Sequence, residues 1–332
     1  MSQPGKARAL LATLRIANAP SVVSNVFLGY MVGWAFWVGG WNPRDTEVIS
    51  WTDLVSLCVA GLFLYFAGNL ANDWFDRKWD AKLRPERALP SGLFHPGLYL
   101  ASAVLLAVAG VALAFRVRLA CGFCAVVIVF LIVIYTWFHK RATWSVIPMG
   151  LCRAGLYMLG FVFWWIGWQE LDASNIKALP TIATALTIGI CISSGLLSYI
   201  AGLSLSARYE GMGDPPQGPR VVSLALLIYP VIAMPCFWMS LWPLAGVIGV
   251  IPFVVWIWLC RTRYLRPIPR YVSALLAGIP LVDFMAAAPL ALVFEFTPKQ
   301  GVADFPLFWP VILVPLVAFV LGRTLQKLAP AT

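Results

Sequence analysis

The sequence predicts an all-α protein, a polytopic transmembrane helical bundle of about nine to ten spans. Three observations carry this. Of 332 residues, 61% are hydrophobic and only 11% are charged, a balance that excludes an ordinary soluble domain and a disordered chain. Apolar runs of about 20 residues recur along the whole length. The cations gather on alternate connections between those runs.

Taken in order, the candidate spans lie near 16–38, 52–73, 97–115, 119–138, 144–166, 180–200, 221–240, 243–260, 271–294 and 305–322. With a cytoplasmic N-terminus, the inner segments hold Lys6, Arg8 and Arg15, then a basic run after span two. They continue with Lys140 and Arg141, Arg208 and Arg220, the RTRYLRPIPR segment at 261–270, and Arg323 with Lys327. The outer segments hold only Arg44, Arg116, Arg118, Lys177 and Lys299. This asymmetry fixes the expected orientation. It predicts a multi-pass protein of a bacterial inner membrane with its N-terminus inside. The net charge of +10 then reflects topology and anionic head groups, not nucleic acid. Residues 1–332 read as a single domain. No cleavable signal peptide is expected, since Asn18, Pro20 and Asn25 interrupt the first apolar run.

Within span one, Asn18 and Asn25 share a helix face that should point into the bundle, and Gly29 and Gly33 form a GxxxG pair suited to close helix contact. Span two runs straight into NLANDWFDRKWD at 69–80. Helical spacing places Asn69, Asn72, Asp73, Asp76 and Asp80 along one stripe at the end of a membrane-buried helix. Carboxylates this close repel unless a cation joins them. Hard oxygen ligands suit Mg²⁺, which commonly shares a few carboxylates with substrate phosphates. Arg77, Lys78, Lys82, Arg84 and Arg87 follow at once. Arg84 and Arg87 are the best phosphate candidates, because a guanidinium grips phosphate oxygens as a fork. The pattern reads as a diphosphate site at a bilayer edge.

NDWFDRKWD resembles the first Asp-rich motif, NDxxDxxxD, of the UbiA superfamily of intramembrane prenyltransferases. KLRPERALPSG at 82–92 is similar to that family's Arg-Pro and Ser-Gly continuation. Tyr135 and Lys140, in YTWFHKRATW, match the Tyr and Lys flanking a family loop. SYIAGLSLSARYEGMGD at 198–214 stands where the family carries a second Asp-rich motif. Tyr199 and Arg208 fit it. Ala207 stands where an Asp is expected, leaving Glu210 and Asp214, so a two-metal clamp is in doubt. This segment looks closer to a divergent EboC-like branch. The motifs cover roughly residues 15–215.

The resemblance implies a membrane enzyme that moves a prenyl group from an allylic isoprenyl diphosphate to a lipophilic or aromatic acceptor. The candidate catalytic residues are Asp73, Asp76, Asp80 and Lys140, with Arg153 added as a lone charge inside span five. Asn69, Asn72, Arg84, Arg87, Tyr199, Arg208 and Glu210 would serve the diphosphate, with Mg²⁺ on Asp73, Asp76, Asp80 and Glu210. A non-catalytic carrier of an isoprenoid or other lipophilic metabolite is the alternative. A transporter coupled through Asp283, Arg153 and the Asp stripe ranks below both.

Three smaller readings complete the chain. Arg153, about ten residues into span five, is costly unless it meets an anion; Asp283 in span nine is its candidate partner, and either could instead face the substrate cavity. The seven Cys fall in apolar runs and read as packing residues, including the Cys121–Cys124 pair. His95 and His139 read as lone loop residues without a metal-ligand neighbourhood.

Overall fold

The structure, a computed structural model, describes residues 5–40, 49–164, 179–208, 217–235, 243–296 and 308–329. Among these there is no strand. The helices are α1 Lys6–Thr13, α2 Ala19–Gly40, α3 Trp51–Leu83, α4 Pro96–Val117, α5 Leu119–Phe138, α6 Val146–Phe161 and α7 Leu179–Arg208. They continue as α8 Gln217–Ile228, α9 Pro230–Ala233, α10 Pro243–Arg263, α11 Ile268–Ala277, α12 Ile279–Phe296 and α13 Phe308–Leu328. Among the described residues, 8 helical stretches are long and apolar enough to cross a bilayer, and Gln217–Ala233 is a shorter apolar one. The expected seventh span runs on into residues 236–240, outside the described set.

α3 is the axis of the site. Ser50 caps its start by accepting from the Asp53 amide at 3.3 Å. The helix runs 33 residues, about 50 Å at 1.5 Å per residue. A hydrocarbon core of about 30 Å cannot contain it, so its last turns project beyond the apolar layer and carry the acidic stripe with them. It stops at Arg84, whose φ −141 and ψ 61 lie outside the helical region, which Pro85 disfavours for the residue before it. The turn that follows swings Arg87 back toward the stripe.

α2 and α6 pack backbone to backbone. A Cβ on Gly29 would run into the Tyr157 carbonyl, and one on Gly160 into the Val26 carbonyl. Gly33 sits close to Phe161 as well, at 2.9 Å from a notional Cβ to its carbonyl. The GxxxG reading therefore holds. Cys121 and Cys124 face the Leu159 and Gly155 carbonyls of α6 at 3.5 and 3.6 Å, as packing residues should.

The expected ninth span breaks between α11 and α12. Pro280 has no amide hydrogen to continue the ladder, and Gly278 bonds back to Leu275 at 2.9 Å. The Tyr199 hydroxyl donates to the Leu275 carbonyl at 2.7 Å, and the Trp256 indole donates to the Ala274 carbonyl at 3.0 Å. These two satisfy carbonyls that an unbroken helix would have filled. This span is 89% buried, against 22% for α4 and for α13, so it is the centre of the bundle.

Candidate active site

The end of α3, the start of α2, the α5–α6 connection and the end of α7 enclose a cavity of about 550 Å³. Its mouth is lined by Asn72, Asp76, Asp80, Arg84, Arg87 and Lys140, and its depth by Tyr65, Leu64, Ile132, Leu156 and Arg153. One end is charged and the other apolar, which matches a diphosphate carrying a hydrocarbon tail.

The stripe divides on closer view. Asn69, Asn72, Asp76 and Asp80 are buried and face the cavity. Asp73 is turned aside and is not part of the cavity wall. It lies 3.8 Å from Arg15 and 3.7 Å from Arg87. Every carboxylate has a cationic or imidazole neighbour. Asp80 receives Arg87 at 2.9 Å. Asp76 Oδ2 lies 3.0 Å from His139 Nε2 and 3.5 Å from Lys140 Nζ.

Two residues here escaped the sequence reading. His139, read as a lone loop residue, reaches Asp76, because the tight turn after α5 folds it inward with its Nδ1 at 3.2 Å from the Thr136 carbonyl. Arg15 reaches Asn69 Oδ1 at 3.4 Å and Asp73 at 3.8 Å. It is the non-glycine residue with positive φ, at 49°, among the described residues. That conformation is rare for a residue with a Cβ, and it is held by Tyr65, whose hydroxyl donates to the Arg15 carbonyl at 3.1 Å. Burial works against the Arg15 charge, but Asp73, Tyr65, Tyr135 and Asp76 together outweigh it and raise the pKa above the usual arginine value. A positive φ leaves no mark in composition or periodicity, so only the fold could reveal it.

Other expectations are corrected. Tyr199 is fully buried, spends its hydroxyl on Leu275 and does not line the cavity. Its role is to hold the α11–α12 break. Arg208 does line the mouth, but its Nη1 donates to the His139 and Ala142 carbonyls at 3.2 and 3.0 Å. It ties α7 to the α5–α6 turn. Arg153 and Asp283 do not pair directly. Asn25 stands between them, accepting from Arg153 Nη1 at 3.4 Å and donating to Asp283 at 2.8 Å. Glu210 and Asp214 lie outside the described residues.

Mg²⁺ can be tested against the oxygens present. Among the described residues no three His, Cys, Asp or Glu side chains form a ready metal cage. Mg²⁺ does not need one, since it is bound through one or two carboxylates, water and substrate phosphate. Asn72 Oδ1 is buried at the cavity without a hydrogen-bond partner, beside Asp76 on the same face. A buried orphan oxygen is costly unless something occupies it. The oxygens present therefore fit the ion, and Asp76, Asp80 and Asn72 are the residues that could hold it. The orphaned Oδ1 of Asp73 lies off the cavity wall.

The model of the UbiA prenyltransferase family matches residues 30–279. The chain belongs to the UbiA prenyltransferase family. As such it is a prenyltransferase and an integral, multi-pass membrane protein. It is similar to the digeranylgeranylglyceryl phosphate synthase of Methanosarcina mazei, with 25% identity over 95% of this chain and 98% of that protein. A synthase of the same name from Methanothrix thermoacetophila is 33% identical, over 38% of this chain and 45% of that protein. The 4-hydroxybenzoate octaprenyltransferase of Cupriavidus metallidurans is 28% identical over 69% of this chain and 87% of that protein. Among solved structures, a UbiA homolog from Archaeoglobus fulgidus bound to DMAPP and Mg²⁺ aligns with 96% of this chain and 99% of its own, at TM-score 0.44 and 13% identity.

Proposed function

We propose that this UbiA-family protein transfers a prenyl group from an allylic isoprenyl diphosphate to a lipophilic or aromatic acceptor inside the membrane, with Mg²⁺ required. One observation carries the reading: a single cavity joins a mouth of acids, amides and cations to an apolar depth. The charge asymmetry of the connections supports a cytoplasmic position for that mouth.

The chain's residues divide the work. Arg84, Arg87 and Lys140 bind phosphate oxygens, and Arg15 backs them through Asn69 and Asp73. Asp76, Asp80 and Asn72 hold Mg²⁺, which when bound supplies positive charge for the leaving diphosphate. The bond between the allylic carbon and the diphosphate oxygen breaks, with its electron pair leaving on the oxygen. The acceptor's electron-rich atom forms the new bond and sheds a proton. The apolar wall formed by Leu64, Ile132 and Leu156 seats the tail. Burial of that wall excludes water, which would otherwise hydrolyse the cation.

The test uses the protein in lipid nanodiscs with labelled allylic diphosphates of several lengths and a lipid extract as acceptor source. We expect a labelled lipophilic product and diphosphate release with Mg²⁺, and neither with chelator or in Asp76→Asn. Release that persists in chelator contradicts the metal assignment. Tight binding of every donor with no release supports the non-catalytic carrier instead.

A further inference from the structure

The cavity has a second polar locus well inside the mouth. On α3, Tyr65 lies eleven residues before Asp76, about 16 Å along the axis, and the Arg153 guanidinium sits over the Tyr65 ring at 4.8 Å. Arg153 is 9% exposed and lines the cavity. Its hydrogen bonds, to Ser21 Oγ at 3.1 Å and Asn25 Oδ1 at 3.4 Å, both leave from Nη1. Among the described residues, Nη2 and Nε have no hydrogen-bond partner, and no carboxylate comes within ion-pair distance.

The nearest candidate counter-ion is already engaged. Asp283 is fully buried. Its Oδ1 accepts from Tyr157 and from Asn25 at 2.8 Å, and its Oδ2 accepts from Ser24 and from Asn25 at 3.0 Å. Neutral donors thus surround the carboxylate, and Arg153 reaches it only through Asn25. The result is a guanidinium held on one edge by Ser21 and Asn25 and on one face by Tyr65, with its remaining edge toward the cavity. A charge kept deep in a bilayer without a direct partner marks a binding site by default. A planar fork of donors suits a carboxylate or a phosphate.

We infer that Arg153 is the acceptor-recognition residue: it binds an anionic head group, carboxylate or phosphate, on the molecule that receives the prenyl group. Calling the ligand an acceptor rests on the proposed function above; the anion site itself does not. The spacing from Asp76 leaves room for the allylic carbon and the acceptor body between the two charged loci. Asp283, Ser24 and Tyr157 act as positioning residues, through Asn25.

The experiment measures binding by calorimetry in phosphatidylcholine nanodiscs, without Mg²⁺ or any allylic diphosphate. Two pairs of probes separate the two anion chemistries: 4-hydroxybenzoate against 4-hydroxybenzamide, and an alkylglycerol phosphate against the same alkylglycerol. In the wild type, at least one anionic probe should bind tenfold or more tighter than its neutral partner. Arg153→Gln should reduce that preference below twofold, and Arg153→Lys should keep part of it. Lys82→Gln, at a residue outside the cavity wall, should leave it in place. Should Arg153→Gln not assemble, Ser21→Asp supplies an internal counter-ion and should erase the preference equally. No anion preference in the wild type, or one that survives in Arg153→Gln or Ser21→Asp, overturns the inference. Because no donor is present, this result is independent of whether diphosphate is ever released.

Discussion

Two long helices bring their ends to the same mouth and arrive with opposite chemistry. α3 ends in Asn72, Asp76 and Asp80, buried and facing the cavity. α7 reaches the cavity with Ser204, Ala207 and Arg208. Both helices outrun the apolar layer and both line the mouth, so geometry does not separate them. What separates them is the side chain at each cavity-facing position. The α3 end gathers anions and needs cations: Arg87 and Lys140 supply them, and His139 adds an imidazole beside Asp76. The α7 end offers a cation and spends part of it on the backbone of the α5–α6 turn. Within the described residues, one arm presents acids that could hold a metal and the other braces the mouth.

The largest break in this contrast is Asp76→Ala. Losing a cavity-facing ligand should lower kcat/KM by about a hundredfold or more, on the order of 3 kcal/mol, read as diphosphate release from labelled donor. A tenfold effect or less would mean that α3 is no more special than α7.

Next is Ala207→Asp, which gives α7 the acid that the family resemblance leads one to expect. It should lower the half-saturating Mg²⁺ concentration by several-fold, about 1 kcal/mol. An unchanged Mg²⁺ titration would show that the α7 face does not approach the metal.

Arg87→Ala tests the cation side. It removes the 2.9 Å bond to Asp80 and leaves that acid without its guanidinium. Thermal unfolding in detergent should report a loss of about 1.5 kcal/mol, and added Mg²⁺ should recover part of it by binding the native state. No recovery would argue that Asp80 is not a ligand.

The smallest effect on turnover belongs to Tyr199→Phe. The hydroxyl serves the Leu275 carbonyl, not the cavity, so activity should change less than twofold while stability falls by about 1 kcal/mol. A large loss of activity with unchanged stability would restore Tyr199 to the diphosphate site.

How far the sequence could be read follows from the range of each interaction. The acidic stripe, its helix and its basic neighbours are local in the chain, and periodicity alone places Asn69, Asn72, Asp76 and Asp80 on one face, although it also put Asp73 there, which turns aside. The Gly29–Gly33 contact was legible for the same reason. Arg15 and His139 were not, because their partners lie 54 and 63 residues away and the features that aim them are a positive φ and a single turn. Arg153 and Asp283 were recognised as a related pair of buried charges. The insertion of Asn25 between them depends on how α2 docks against α6 and α12, which no local pattern encodes. Tyr199 was misplaced by one helix face: it follows Ser198 and precedes Ile200, and it is Ile200, Leu203 and Ser204 that turn to the cavity.

The most direct measurement is Mg²⁺-dependent binding of geranyl thiodiphosphate, a slowly reacting donor, to the protein in nanodiscs. The account predicts tight binding with Mg²⁺, at least tenfold weaker binding in chelator, and the same loss in Asp76→Asn whether or not Mg²⁺ is present. Equal affinity with and without Mg²⁺, or an Asp76→Asn protein that still responds to the ion like the wild type, would contradict it.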